Sequence, residues 1–340
     1  MAHRSTSRHR RTGHCLVTVV VPTYNRADLT RASLLALLDS VEHRDDIEVV
    51  ASDDGSTDGT PDVLAELSDR ISVVASSTNQ GFAAACNAGA AKAAGPWLLF
   101  YNNDLVPLPG WIDELVAYMR ATPTAAAVGT KLLFPDGRVQ HAGVVMCSDG
   151  YPRHLYAGFP ADHPLVNRSG RVRLVTGACM LISRVWFERL NGFDSEYRNG
   201  YEDIDLCFRL ADLGGEVHMC HRSVLTHLVS ATRDDQSTEF VNTRRLFLRR
   251  WQHALADDFA QYVRDGLVKM TYTETFPFHM TVSPLLALVG GSADGVDTYA
   301  SLTGELHDVR RENVRLRLRV AELEALARSL DLQAPDGRER

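Results

Sequence analysis

The chain has 340 residues, 45% of them hydrophobic, with a formal net charge of −7. That length fits one large or two ordinary domains, the apolar content excludes a disordered protein, and the acidic balance without a long basic face excludes nucleic acid as the main partner. Six cysteines, Cys15, Cys86, Cys147, Cys179, Cys207 and Cys220, are scattered with neither zinc-ligand nor small-domain disulfide spacing, so a reducing cytosol is the expected setting. Residues 1–14 carry Arg4, Arg8, Arg10 and Arg11 and read as a disordered basic tail, with contact to anionic lipid as the alternative. No apolar stretch approaches the ~20 residues of a spanning helix, so the expectation is a cytoplasmic protein, peripheral to the membrane at most.

A continuous β-branched run over 15–21 predicts a buried strand ending in the polar loop Pro22-Thr23-Tyr24-Asn25-Arg26. Leu34, Leu35, Leu37 and Leu38 then predict a helix over 29–38, capped by Asp28. A second strand over 47–51 delivers Ser52-Asp53-Asp54-Gly55-Ser56-Thr57-Asp58, and a helix follows over 61–67. A third strand over 71–74 leads through Asn79-Gln80-Gly81-Phe82 into an alanine-rich helix holding Asn87 and Gly89. The run 97–101 is apolar throughout, as in a strand buried on both faces, and ends in Asn102-Asn103-Asp104. Strict alternation of strand and helix predicts a doubly wound parallel sheet.

In such sheets ligands bind beyond the carboxyl ends of the strands, where both acidic clusters fall. Asp53 or Asp54 could accept a hydrogen bond from the imide N–H of uracil or thymine, and Asp104 could hold a divalent cation that grips a diphosphate. Turn and cap formation is the plainer use of the same residues, and Asp58 or Thr60 fits a helix cap. Neither G-x-G-x-x-G nor G-x-x-x-x-G-K-[ST] is present, which removes the dinucleotide and P-loop readings.

With these motifs in this order, residues 15–250 resemble family 2 glycosyltransferases of the GT-A fold, and within them the bacterial rhamnosyltransferase-like branch, whose members often carry Asn-Asn-Asp at the metal motif. The resemblance implies a mixed α/β sheet with helices on both faces and a donor site formed by Pro22, Thr23, Tyr24, Asn25, Arg26, Asp53, Asp54, Asn79, Gly81, Asn87, Asn102 and Asn103. It implies that Asp53 contacts the nucleobase, that Asn102 stands where an acid usually meets the ribose, and that Asp104 binds Mg2+ or Mn2+.

Beyond the metal motif, Ile112, Leu115, Val116 and Met119 predict a helix, 125–128 a strand, and 132–140 a hairpin around Pro135-Asp136-Gly137. Strands returning without helices mark a mixed, acceptor-side half. Residues 146–172 read as a long loop, and 171–182 as two apolar pieces hinged at Thr176-Gly177. In related enzymes this turn lines the acceptor and sugar pocket; a packing glycine is the alternative. A short helix over 185–190 follows, and another begins near Glu202 or Asp203. Glu202-Asp203 resembles the family's Glu-Asp motif, which makes Asp203 the expected general base, with Glu202 or Asp205 as substitutes; the transfer chemistry needs a carboxylate to deprotonate the acceptor hydroxyl. One base and a metal-held leaving group imply inversion. His227, with Ser230, matches the family's His-x-x-Ser element and is the expected second metal ligand.

Residues 238–268 read as a basic and apolar helix, where Arg250-Trp251 lacks the Gln that the processive synthases carry, Phe247 standing in its place. A single-addition enzyme is therefore expected, acting on a glycan, lipid-linked or small-molecule acceptor. Residues 256–298 are read as a helical linker region after a catalytic domain over 15–255. Leu302, Val309, Leu316, Leu323 and Leu330 recur every seven residues beside Leu306, Asn313, Val320 and Ala327, which predicts a coiled coil over 299–332, a homodimer through 302–330 with a single helix folded back on the catalytic domain as the alternative, and a disordered tail over 333–340. The other readings are a catalytically silent nucleotide-sugar-binding scaffold and a nucleotidyltransferase, the latter lacking its Gly-rich loop after the first strand.

Overall fold

The computed structural model describes residues 15–147, 151–228, 238–256, 258–271 and 279–288. The chain opens with alternating units: β1 (Val17–Thr23), α1 (Ala27–Ser40), β2 (Ile47–Asp53), α2 (Thr60–Glu66), β3 (Ser72–Ala75), α3 (Phe82–Ala90) and β4 (Trp97–Tyr101). Here β1 pairs in parallel with β2 and β4, and β2 with β3. After β5 (Leu105–Pro107), α4 (Trp111–Ala121) and β6 (Ala125–Leu133), the chain turns back on itself through β7 (Val139–His141), β8 (Val144–Met146), β9 (Pro152–His154) and β10 (Gly170–Val172). Then come β11 (Cys179–Ser183), α5 (Arg184–Arg189), α6 (Glu202–Asp212), β12 (Glu216–His227), α7 (Thr238–Trp251), α8 (Phe259–Arg264), β13 (Val268–Thr271) and β14 (His279–Val282).

The main sheet runs β10-β12-β6-β11-β4-β1-β2-β3, with β5 paired to β12 and β7 to β6. Between β4 and β6 lies β11, antiparallel to both, and β10, β5 and β7 also pair antiparallel with their neighbours, which gives the expected change from a parallel to a mixed sheet. Strand periodicity sends Val17, Val19, Val21, Leu99 and Tyr101 to one face, against Leu34 and Leu37 of α1, Leu64 of α2 and Leu115 of α4. Val20, Leu98 and Phe100 point to the other, against Cys86 of α3, Phe187 of α5, Leu206 of α6 and Phe247 of α7. Each fully buried Leu or Phe stabilises the fold by about 1.5–3 kcal/mol. A third cluster joins Val139, Leu155, Phe159, Val166 and Leu267 beside the sheet.

Three expectations change. The helix read over 238–268 is two helices, because the chain leaves α7 at Trp251 and ends α8 at a left-handed Gly266 with φ of 70°. The segment 256–298, read as a helical linker, contains an antiparallel β13–β14 hairpin among its described residues, the alternation Val268-Lys269-Met270-Thr271 having period two. It packs on the third cluster through Leu267, Leu285 and Leu286. The long loop 146–172 contributes β9 and the sheet-edge strand β10. The basic tail, Ser230 and the heptads of 302–330 lie outside the described residues.

Candidate active site

Register places Thr23, last in β1, beside Asp53, last in β2, and the two following loops are tied to each other. Asn25 donates its N–H to Ser56 Oγ at 2.7 Å and accepts the Thr57 N–H at 2.8 Å. Asp58 accepts the Ala27 N–H at 3.0 Å and the Thr60 N–H at 2.9 Å, so one carboxylate caps both α1 and α2. Asp28, expected as the α1 cap, instead sits in the first turn. Asn25 and Arg26 are both left-handed, with φ of 54° and 62°, which turns the chain sharply from Pro22 and leaves Tyr24 exposed.

The adjacent acids Asp53 and Asp54 are both buried but differently employed. Asp54 accepts the N–H groups of Gln80 and Gly81, each at 2.8 Å, one on each oxygen. It is a brace for the loop after β3. Asp53 Oδ1 takes the Ser56 hydroxyl at 2.5 Å, while Oδ2 accepts no hydrogen bond among the described residues. Asp53 Oδ2 is thus the unengaged acceptor of the two acids, whereas both Asp54 oxygens already hold the loop.

Other expected donor contacts prove to be braces as well. Asn87 donates to the Phe193 carbonyl at 2.8 Å and accepts the Phe193 N–H at 2.9 Å, so both ends of its amide hold the loop around Phe193. Arg198 donates to Asn79 O at 2.9 Å, and Gly81, with φ of 97°, lies so close that a Cβ there would stand 2.3 Å from the Arg198 carbonyl oxygen. Asn103 donates to Thr30 Oγ1 at 2.8 Å and locks the metal motif to α1.

Asn102 and Asp104 remain available. The Asn102 N–H donates to the Ala178 carbonyl at 2.9 Å, while its buried Oδ1 has no partner among the described residues. A ligand hydroxyl would satisfy it. Pairing of β5 with β12 sets Leu105 opposite His227, and this brings Asp104 Oδ1 within 3.0 Å of His227 Nε2. Both atoms are buried, and neither has a hydrogen-bond partner among the described residues. Gln140 Oε1 accepts the Nδ1–H of His227 at 2.6 Å, which fixes the tautomer and turns the Nε2 lone pair toward Asp104. Two ligand atoms each ~2.0–2.2 Å from one cation and about a right angle apart would lie ~3 Å from each other, so Mg2+ or Mn2+ fits the pair. No group of three His, Cys, Asp or Glu that could hold a metal occurs among the described residues; diphosphate and water would complete the shell, as is usual for Mg2+-type sites.

At the start of α6, Asp203 Oδ2 accepts the Gly177 N–H at 2.7 Å and Oδ1 the Ile204 N–H at 2.8 Å. A Cβ on Gly177 would stand 3.1 Å from that of Asp203, so this glycine admits the carboxylate. Thr176 accepts the Ala178 N–H at 3.3 Å and shapes the same turn. Since Ala178 also holds Asn102, the proposed base and the metal motif share one backbone brace. Glu202 is buried. Asp205 is 0% exposed and bound by Arg209 at 2.6 Å, Trp251 Nε1 at 2.8 Å and Arg250 at 3.3 Å, which removes it as a substitute base. Gln140 escaped sequence reading because 87 residues separate it from His227 and a single Gln in a hairpin carries no signal.

A family model described as "Glycosyl transferase family 2" matches residues 18–190, and one described as "N-terminal domain of galactosyltransferase" matches 163–230. An O-antigen biosynthesis protein of Myxococcus xanthus is 34% identical over 225 residues, 64% of this chain and 18% of that protein. The chain thus spans under a fifth of that relative's length. The N-acetylglucosaminyl-diphospho-decaprenol L-rhamnosyltransferase of Mycobacterium tuberculosis is 28% identical over 243 residues, 65% of this chain and 78% of that protein. A mannosyltransferase of Pyrobaculum calidifontis, solved with GDP-Man and Mn2+, superposes with a TM-score of 0.50 at 22% identity, covering 96% of this chain and 83% of the other. The fold is GT-A. The family model covers more than half of the 340 residues, and the chain belongs to glycosyl transferase family 2.

Proposed function

We propose that this chain transfers a single sugar, with inversion, from a nucleoside-diphosphate sugar to a hydroxyl of a glycan, lipid-linked or small-molecule acceptor. The observation that carries this reading is the buried pair Asp104 Oδ1 and His227 Nε2, 3.0 Å apart, with Gln140 setting the tautomer. A divalent cation bound there would neutralise charge on the departing diphosphate. Asp53 accepts from the base, Asn102 Oδ1 from the ribose, and Asp203 takes the acceptor proton as the hydroxyl attacks. Two backbone N–H groups hold the Asp203 carboxylate in one orientation before substrate arrives. A uridine or thymidine diphosphate sugar suits Asp53, dTDP-rhamnose among them, and the mycobacterial relative named as an L-rhamnosyltransferase supports rhamnose as the sugar. Among the described residues no helix is long and apolar enough to cross a membrane.

Thermal shift with UDP, dTDP and GDP, with and without Mn2+, tests the donor half of the reading. Stabilisation by UDP or dTDP that grows with Mn2+ is expected. No response to any nucleotide under either condition contradicts it.

A further inference from the structure

A cavity of about 470 Å³ lies apart from the crevice and shares none of its residues. Its floor is apolar, with Val144, Val172, Val217 and Met219, and its rim carries Arg168, Arg171 and Arg264. Ala211 near the end of α6 also lines it, about 12 Å along the helix from Asp203 at 1.5 Å per residue. Likewise β12 begins at the cavity and ends at His227.

Arg173 forms a fixed part of the wall: it donates to Ala256 O at 2.9 Å, Ala254 O at 3.0 Å and Asp258 at 3.1 Å. Arg171 and Arg264 on the rim are held more loosely. Arg171 makes a solvent-exposed pair with Glu216 at 3.2 Å, a class of contact that contributes little and exchanges readily, whereas Arg168 pairs at 3.1 Å with the buried carboxylate of Asp265. Arg264 meets no carboxylate among the described residues; its guanidinium donates to the Gln261 side-chain carbonyl at 2.8 Å. The volume is that of a small-molecule site, and guanidinium forks match phosphate geometry.

We propose that this cavity binds an amphipathic anion, an apolar group carrying a phosphate, with the apolar part on the valine and methionine floor and the phosphate at the arginine rim. The site does not rest on the transferase reading. Isothermal titration of the full chain with geranyl phosphate, geraniol and inorganic phosphate separates the whole ligand from its two halves. Saturable binding of geranyl phosphate, tighter than either half by about tenfold or more, is expected. The pair Arg171→Glu with Arg264→Glu weakens it by about tenfold, and Ala211→Trp, an exposed position at the mouth, blocks it. Nucleotide thermal shifts stay unchanged in these variants, which separates this site from the crevice. The proposal is overturned if geranyl phosphate does not saturate, if geraniol or inorganic phosphate binds as tightly, or if neither the double variant nor the tryptophan changes the affinity.

Discussion

The two halves of the crevice are assembled differently. On the β1–β4 side, Asp53 and Asn102 stand at or just beyond strand ends; Asp53 and Asp54 are braced within their own half, as Asp54 holds Gln80 and Gly81, while Asn102 reaches across to the Ala178 carbonyl. On the other side each working group depends on a distant segment: His227 on Gln140, Asp203 on Gly177, and α6 on Trp251 of α7. The difference teaches where this chemistry is fragile. The proposed nucleobase contact at Asp53 rests on local loop geometry, whereas the proposed ribose contact Asn102, the proposed metal ligand His227 and the proposed base Asp203 rest on tertiary packing.

Losing the ligand on which both sides meet has the largest expected effect. Asp104→Ala removes metal response and donor affinity together, and turnover falls by about a thousandfold, measured as transfer rate against Mn2+ concentration. Gln140→Leu probes the long-range side alone: the His227 ring stays but loses its orienting acceptor, and Mn2+ affinity measured by titration falls about 10–100-fold while nucleobase preference is unchanged. Trp251→Phe strips one donor from fully buried Asp205 and lowers unfolding free energy by about 1–3 kcal/mol in urea, with little change in nucleotide affinity.

The smallest effect is on pH. Burial, and then the charges that His154 and His227 would carry, hold His141 well below the ordinary 6.5. The unfolded chain then binds more protons than the folded one just below that value, so stability is full above 6.5 and falls as pH drops toward the folded pKa. His141→Phe flattens that slope in denaturation curves at about pH 7.5 and about pH 5.5.

Legibility followed the same division. The first four strands were readable because continuous β-branched or apolar runs end in polar motifs, and Asp53, Asn102 and Asp104 fall where strand order alone puts them. Asp58 was legible as a cap, though not that it caps two helices. Asn79, Gly81 and Asn87 share the motif spacing of ligand contacts, yet their partners, Arg198 and Phe193, sit more than a hundred residues away and no local pattern points to them. The hairpin of β13 and β14 was missed because its described strands are only four residues each and follow a helix of similar composition.

Separation of roles between the two sides is the central claim, and Asp203→Asn tests it most directly when donor binding and turnover are measured on one preparation. The amide keeps one acceptor for the Gly177 N–H but cannot take a proton at pH 7. The expected result is a transfer rate lower by about 100–10,000-fold with Mn2+-dependent nucleotide binding unchanged. Turnover close to that of the natural chain, or donor binding lost in step with turnover, would contradict the account.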